Sequence, residues 1–387
     1  MYRKKTQQIS AIILHLLFLF SLWGCAATES LIALAPTVAP APVLTKQSEP
    51  QSISLPIVTS PTPPTPLPTR ILPDPSPTLA APASGPAVTL TPTSAPTSTS
   101  APTGAAKVAS CVCGEVTCPC EIKYVVIISI DGLRPDAIEQ TDTPTLDALR
   151  AQGAYSPMAQ AVLPSVTLVN HASMLGGMSP AKHGIYWNSN DPDLGKINGP
   201  TLFSVAHEAG LSTAMVVGKP KLEHLVLPDS VDNYVYAGFT DRQVVNEAVA
   251  IIETNMPDLL FIHLPDVDSA GHALGWMSLG QLLALNLTDD LIGEIVAALE
   301  TQRYLDQTLL IITADHGGSG FKHGSDSPED MTIPWLAVGP GVPAGITLQS
   351  EIVTYDTAAT ALVALGLPIP QTWDGQPVME IFEQSSQ

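Results

Sequence analysis

The chain has 387 residues, 37 prolines and a formal net charge of −20, with 36 Asp and Glu against 16 Lys and Arg. So acidic a surface argues against a non-specific grip on nucleic acid and against lying on an anionic membrane, since both need a basic face. The acid excess instead leaves room for bound cations as neutralising partners.

Residues 1–24 read as a targeting segment. Arg3, Lys4 and Lys5 precede the apolar run AIILHLLFLFSL, which at about 12 residues is too short to span a bilayer as a mature helix. The run ends in LWGC, which resembles a bacterial lipoprotein box with Cys25 as the lipidated residue, although Trp23 is an unusual occupant of its position. An ordinary secretory signal with an incidental cysteine is the alternative. Either reading predicts export, and we favour a cell-envelope lipoprotein attached to the membrane through lipid on Cys25.

Residues 25–107 contain stretches such as SPTPPTPLPT and TPTSAPTSTSAPT. These bury too little apolar surface to offset chain entropy, which predicts a disordered Pro/Thr/Ser-rich linker that favours extended polyproline conformations. Residues 108–122 hold CVCGEVTCPC, with Cys111, Cys113, Cys118 and Cys120. In an exported protein disulfides are the default, and the spacing suits a hairpin pairing Cys113 with Cys118 and Cys111 with Cys120. Four cysteines still allow three connectivities, and a structural zinc site is the minor alternative.

Residues 123–387 read as one globular domain. KYVVIISIDG is a continuous apolar, β-branched run, hence a strand buried on both faces that ends at Asp131. TPTLDALRAQG predicts a helix with Thr143 as N-cap and Gly153 as stop. Between Leu163 and Asn188, Thr167 lies between an apolar approach and a helix start expected at Asn170. A hydroxyl at such a place is a candidate nucleophile that needs activation. A helix near 202–209 leads to the strand 212–218, and a helix over 241–255 leads to the strand 258–264. An amphipathic helix over 281–303 precedes the run TLLIITADHGG, then a strand at 335–339 and a closing helix at 356–365. Alternating strands and helices predict an α/β fold on a mostly parallel sheet.

Three apolar runs deliver an aspartate at or just beyond their C-terminal ends: Asp131, Asp268 and Asp315. Ligands of open α/β sheets bind outside those ends, so the three carboxylates are expected to converge there, with cations compensating their repulsion. His272 stands four residues after Asp268, a spacing that one helical turn brings to one side. His316 adjoins Asp315, and His323 follows the flexible GGSGFKHG. Three Asp and three His make two sets of three protein ligands, the count for two catalytic zinc sites with a position left open in each.

IDGLRPD, SVTLVNH, SPAKHGI, DVDSAGH and TADHGG with its later HG resemble the alkaline-phosphatase superfamily, most of all the type I phosphodiesterase/nucleotide pyrophosphatase family. The motifs follow the family's order over residues 123–365. The resemblance implies an alkaline-phosphatase-like three-layer sandwich and two Zn²⁺, one held by Asp268, His272 and His323. The other would be held by Asp131, Asp315 and His316, with the hydroxyl of Thr167 completing it and a phosphothreonine formed during turnover. Asn188 matches the asparagine that contacts a non-bridging phosphoryl oxygen. The implied substrate is a small phosphate ester or phosphonate.

Lys219 and Lys221, after the strand 212–218, are similar to a K-x-K pair in family members that cleave phosphomonoesters or phosphonoacetate. They are thus candidate substrate contacts, with two surface lysines as the plain alternative. No cysteine stands in a sulfatase-like C-x-P-x-R setting. Asp266 is a weaker alternative to Asp268, since it lacks the DSxGH spacing. Asn170 and His171 are expected to brace the helix of Thr167, His183 to be structural, His207, His224 and His263 to be ordinary, and Asp326 and Glu329 to be solvated. A catalytically inactive metal-binding module is the competing class.

Overall fold

A computed structural model describes residues 122–382. The expectations for the leader with Cys25, for the linker and for Cys111, Cys113, Cys118 and Cys120 lie outside the described residues.

Within those residues eight strands form one sheet. They are β1 (Tyr124–Ile130), β2 (Ala154–Gln160), β3 (Thr213–Val217), β4 (Asn233–Tyr236), β5 (Leu259–Leu264), β6 (Thr308–Thr313), β7 (Thr332–Val338) and β8 (Ile346–Thr347), in the order β4-β3-β5-β1-β6-β7-β2-β8. β1 pairs in parallel with β5 through Val125–Leu259 and with β6 through Val125–Leu309. Every residue of β3, β5 and β6 is buried, which is why these strands read as near-continuous apolar runs rather than alternating ones. β7 is antiparallel to both β6 and β2. No crossover helix carries the chain from β6 to β7. The intervening loop stays at the carboxyl end of β6 and turns back, and a parallel return would need a crossover.

The main helices are α1 (Pro144–Gln152), α2 (Thr167–Gly176), α3 (Leu202–Glu208), α4 (Asp241–Asn255), α5 (Asp266–Leu274), α6 (Leu279–Thr301) and α7 (Asp356–Ala364). α1, α4 and α5 pack against α6, whereas α2, α3 and α7 pack among themselves. With the central strands buried on both faces, these groups form the two outer layers of a sandwich.

Three details depart from the sequence expectation. α2 begins at Thr167 rather than Asn170, because Asn170 turns its amide back onto the entering chain. Its Oδ1 accepts from Val162 N, and its Nδ2 donates to the carbonyls of Val162, Pro164 and Val166. β2 carries Pro157 at a register shift between Ser156 and Ala159, which erases the usual strand pattern. β4 is short, polar and incompletely buried, so it too lacks an apolar signature.

The start of α4 yields a stability prediction. Asp241 is fully buried; its Oδ1 accepts from Asp266 N at 2.9 Å and its Oδ2 from Thr288 Oγ1 at 2.5 Å. Burial, helped by the charge of Asp266, pushes its carboxyl up to about 7. The folded state therefore holds a proton that the unfolded chain releases near pH 4, so ionising Asp241 costs stability as pH rises from about 4 to 7. Asp241→Asn is expected to remove that cost. Its Tm relative to the unsubstituted chain should climb between pH 4 and 7 and then level off in a melting series. A difference independent of pH would contradict this.

Candidate active site

Four neighbouring parallel strands end side by side in the order β3, β5, β1, β6. The residues that follow them are Lys219, Asp268 in the first turn of α5, Asp131 and Asp315. The four groups thus meet outside the carboxyl edge of the sheet. Gly132 makes the approach possible: its φ is +72°, and a Cβ there would lie 2.9 Å from Asp268 Cβ.

Each carboxylate presents one satisfied oxygen and one unsatisfied one. Asp131 Oδ2 accepts from His263 Nε2 at 2.8 Å and pairs with Lys219 Nζ at 2.7 Å, while Asp268 Oδ2 accepts from Lys219 Nζ at 2.5 Å. Asp315 Oδ1 accepts from Gly132 N at 3.1 Å and His316 N at 3.0 Å. The other oxygens, Asp131 Oδ1, Asp268 Oδ1 and Asp315 Oδ2, are buried with no hydrogen-bond partner. A buried carboxylate oxygen in that condition is costly unless a cation faces it.

The histidines complete the pattern. His316 Nδ1 donates to Gly317 O at 2.7 Å, His323 Nδ1 to Ser165 O at 2.8 Å and His272 Nδ1 to Phe321 O at 3.0 Å. Each bond fixes the tautomer and leaves Nε2 as a bare lone pair. These lone pairs face the unsatisfied oxygens. His316 Nε2 is 3.2 Å from Asp315 Oδ2 and 3.5 Å from Asp131 Oδ1; His272 Nε2 and His323 Nε2 are 3.4 and 3.6 Å from Asp268 Oδ1. His272 and His323 bring their Nε2 atoms within 3.2 Å. Lone pairs aimed at lone pairs at such separations fit a cation between them. The ligand atoms of Asp131, Asp315 and His316, and those of Asp268, His316 and His323, lie within 4.8 Å of one another. His316 thus reaches both groups, a sharing that its sequence position beside Asp315 did not suggest.

The electrostatics of the protein alone agree. Burial works against a charge on Asp131, but the Lys219 ammonium and the His263 hydrogen bond outweigh it and hold the carboxyl well below the usual range. Burial and the charge of Asp131 push Asp315 well above it. Burial lowers His316, and burial with the neighbouring His316 lowers His323 to about 4, so both rings are neutral near pH 7.

Thr167 is buried in the first turn of α2, with its Oγ1 3.4 Å from His316 Nε2. His171 braces this turn: its Nδ1 donates to Thr167 O at 2.8 Å, and its Nε2 meets Ser129 Oγ at 2.9 Å. Asn188 Oδ1 accepts from Leu168 N at 3.0 Å and from Lys221 Nζ at 3.1 Å. The helix-start N–H is therefore used to orient Asn188. Burial, then the charge of Lys219, lowers the Lys221 ammonium below its ordinary range.

Sequence reasoning missed His263 and Trp276. His263 accepts from Gly218 N at 3.2 Å and donates to Asp131, so it orients that carboxylate. Its signal was a lone histidine inside the otherwise apolar LLFIHL. Trp276 donates from Nε1 to Gly132 O at 2.9 Å and packs edge-on against His272, and nothing in its local pattern marked it. His183 is buried between Ser173 Oγ and Ile185 N, and Asp326 and Glu329 are exposed.

This sheet, with its cluster at the carboxyl edge, defines an alkaline-phosphatase-like α/β protein. Among solved structures, an inactive variant of murine ectonucleotide pyrophosphatase/phosphodiesterase 5 in complex with AMP superposes with a TM-score of 0.59 at 16% identity, covering 67% of this chain and all of that one. A 2-O GAG sulfatase superposes with a TM-score of 0.56 at 17% identity, covering 69% and 76%. The family model for type I phosphodiesterase/nucleotide pyrophosphatase matches residues 125–331, and the chain belongs to that family. An uncharacterized pyrophosphatase/phosphodiesterase of Schizosaccharomyces pombe is 26% identical over 215 residues, which are 50% of this chain and 44% of the relative. Ectonucleotide pyrophosphatase/phosphodiesterase family member 3 of Rattus norvegicus is 26% identical over 214 residues (50% and 24%). The catalytic subunit of human GPI ethanolamine phosphate transferase 2 is 27% identical over 278 residues (67% and 28%). The chain spans less than half the length of each of these three relatives.

Proposed function

We propose that this chain is an exported, zinc-dependent phosphoric ester hydrolase of the phosphodiesterase/nucleotide pyrophosphatase type, acting through a covalent phosphothreonine on Thr167. The observation that carries the reading is the convergence of three bare histidine Nε2 atoms and three unsatisfied carboxylate oxygens beside the Thr167 hydroxyl. Asp268, His272 and His323 would hold one ion; Asp131, Asp315 and His316, with Thr167 Oγ1, would hold the other. When bound, two such ions make the threonine hydroxyl more acidic and stabilise the entering and departing oxygens of an in-line displacement.

The chain's own groups do the rest. Thr167 Oγ1, held by the first turn of α2, bonds to phosphorus as the bond from phosphorus to the leaving oxygen breaks. Its proton leaves, and the departing alcohol or phosphate takes one up. Water then cleaves the phosphothreonine, restoring the hydroxyl and releasing the phosphoryl product. Asn188 Nδ2 donates to a non-bridging phosphoryl oxygen whose charge grows in the transition state. Asn188→Ala is expected to lower kcat/KM by about 10²–10³-fold, the usual loss of one such donor. Steady-state kinetics at saturating zinc read this out, and a loss below about threefold would remove Asn188 from that role.

A second reading, hydrolysis of phosphomonoesters or of a C–P bond as in phosphonoacetate, draws support from the Lys221–Asn188 contact. It sets a cation beside the amide proposed to hold the phosphoryl group. Assaying the purified chain with zinc against bis-p-nitrophenyl phosphate, p-nitrophenyl phosphate and phosphonoacetate separates the readings. A diester preference is expected, a monoester or phosphonate preference favours the second, and no turnover of any of the three overturns both. For an inactive metal-binding module, no phosphorylated Thr167 would be trapped from substrate.

Residues 123–387 would form the catalytic domain, carried on the linker 25–107 and anchored at the cell surface or on the periplasmic side by lipid on Cys25. The basic and apolar leader supports export. No helix among the described residues is long and apolar enough to cross a membrane.

A further inference from the structure

Lys219 was a candidate substrate contact by sequence, yet its ammonium is already engaged. The side chain is 16% exposed, and its Nζ lies 2.7 Å from Asp131 Oδ2 and 2.5 Å from Asp268 Oδ2. The two carboxylates belong to different ligand groups, so this one cation touches both. It takes from each the oxygen that His272, His316 and His323 do not face. Asp131 Oδ1 looks toward His316 Nε2, and Asp268 Oδ1 toward His272 Nε2 and His323 Nε2.

The backbone builds this bridge deliberately close. A Cβ at Gly218 would lie 2.4 Å from Pro265 Cγ, so only glycine lets the end of β3 ride against the end of β5. That approach carries Lys219 over its neighbouring strand toward Asp268 and, one strand further, Asp131. His263 gives Asp131 Oδ2 a second partner. For Asp268 Oδ2, Lys219 is the one hydrogen-bond donor among the described residues.

We infer that Lys219 is a positioning residue that ties the two metal groups together, turning Oδ1 of one aspartate from each toward its ion; this rests on the two-metal reading above. Lys221 is the member of the pair that stands beside the phosphoryl position, through Asn188. Two effects oppose each other when Lys219 loses its charge. Removing a cation favours other cations at the site, but it also leaves Asp131 Oδ2 held by His263 alone and Asp268 Oδ2 buried without a donor. The second effect dominates, because partners that orient metal ligands are typically worth about 10–100-fold in metal affinity.

The test is zinc binding itself, by titrating the purified chain against a chromophoric chelator. Lys219→Met, checked for a native circular dichroism spectrum, is expected to bind zinc about 10–100-fold more weakly at both sites. Lys221→Met is expected to keep zinc affinity and raise KM. Unchanged or tighter zinc binding in Lys219→Met, loss at a single site, or a rise in KM alone would overturn the inference and return Lys219 to the substrate. If the Met variant does not fold, Lys219→Gln, which keeps a donor for one carboxylate, is read instead; a smaller loss is expected, and wild-type affinity overturns the inference. The titration needs no turnover, so failure of the phosphoesterase reading would show separately in the activity assay.

Discussion

Thr167→Ala is expected to abolish turnover, by on the order of 10⁴–10⁶-fold in kcat, the scale on which nucleophile removal acts in covalent catalysis. The substitution deletes a hydroxyl and a methyl from a buried first-turn residue and little else. The carbonyl that receives His171 Nδ1 remains, and so do the Asn170 contacts that shape the turn. Three protein ligands remain in each metal group, so the variant should still bind zinc. Stability should change by no more than about 1 kcal/mol. Thr167→Ser, which keeps the hydroxyl, should recover a substantial part of the activity. Single-turnover kinetics with bis-p-nitrophenyl phosphate, beside zinc analysis of the same preparations, tests this pattern. An active Thr167→Ala enzyme would assign the nucleophile elsewhere.

Removing divalent cations is expected to have the second large effect. Dialysis against a chelator should lower activity by more than about 100-fold, and added zinc should restore it, because metal ions supply both nucleophile activation and leaving-oxygen stabilisation in such reactions. Zinc should also raise Tm, since a ligand bound by the native state alone stabilises it by mass action. The physical source is local. Three buried carboxylate oxygens lack partners, and burial with the charge of Asp131 holds Asp315 well above the usual carboxylate range. A bound cation reverses that balance and expels the proton, so zinc affinity should rise with pH across the range where Asp315 titrates. The histidines add little to this proton release, as burial already keeps His316 and His323 neutral near pH 7. Activity that survives chelation with zinc-free protein would refute the two-metal reading.

The ligand groups could be picked out in the sequence because their chemistry sits at predictable points of an α/β chain. Parallel strands buried on both faces are written as apolar runs, so an aspartate at the end of one marks the sheet edge. Asp131 follows its strand directly, Asp315 follows its own after one intervening residue, and the four-residue step from Asp268 to His272 is one turn of α5. Elements with mixed patterns were hidden. β2 carries a proline and a register shift, and β4 is incompletely buried, so neither shows a period. The start of α2 was misplaced by three residues because Asn170 resembles a cap. In the fold it is inside the helix and ties down the chain before it.

Local periodicity was enough to read the fold class, and chemistry placed at strand ends was enough to mark Asp131, Asp268, Asp315, His272, His316, His323 and Thr167 as one candidate set. Only the tertiary structure decided how those residues divide their atoms. That His316 faces both groups, that His263 and Trp276 support the cluster, and that Lys219 meets two aspartates while Lys221 meets Asn188 all depend on strand order. β3, β5, β1 and β6 are neighbours in space but are spread along the chain from Tyr124 to Thr313. Which carboxylate oxygen takes the lysine and which is left without a partner depends on how the strand ends pack against one another, and no one-dimensional spacing encodes it.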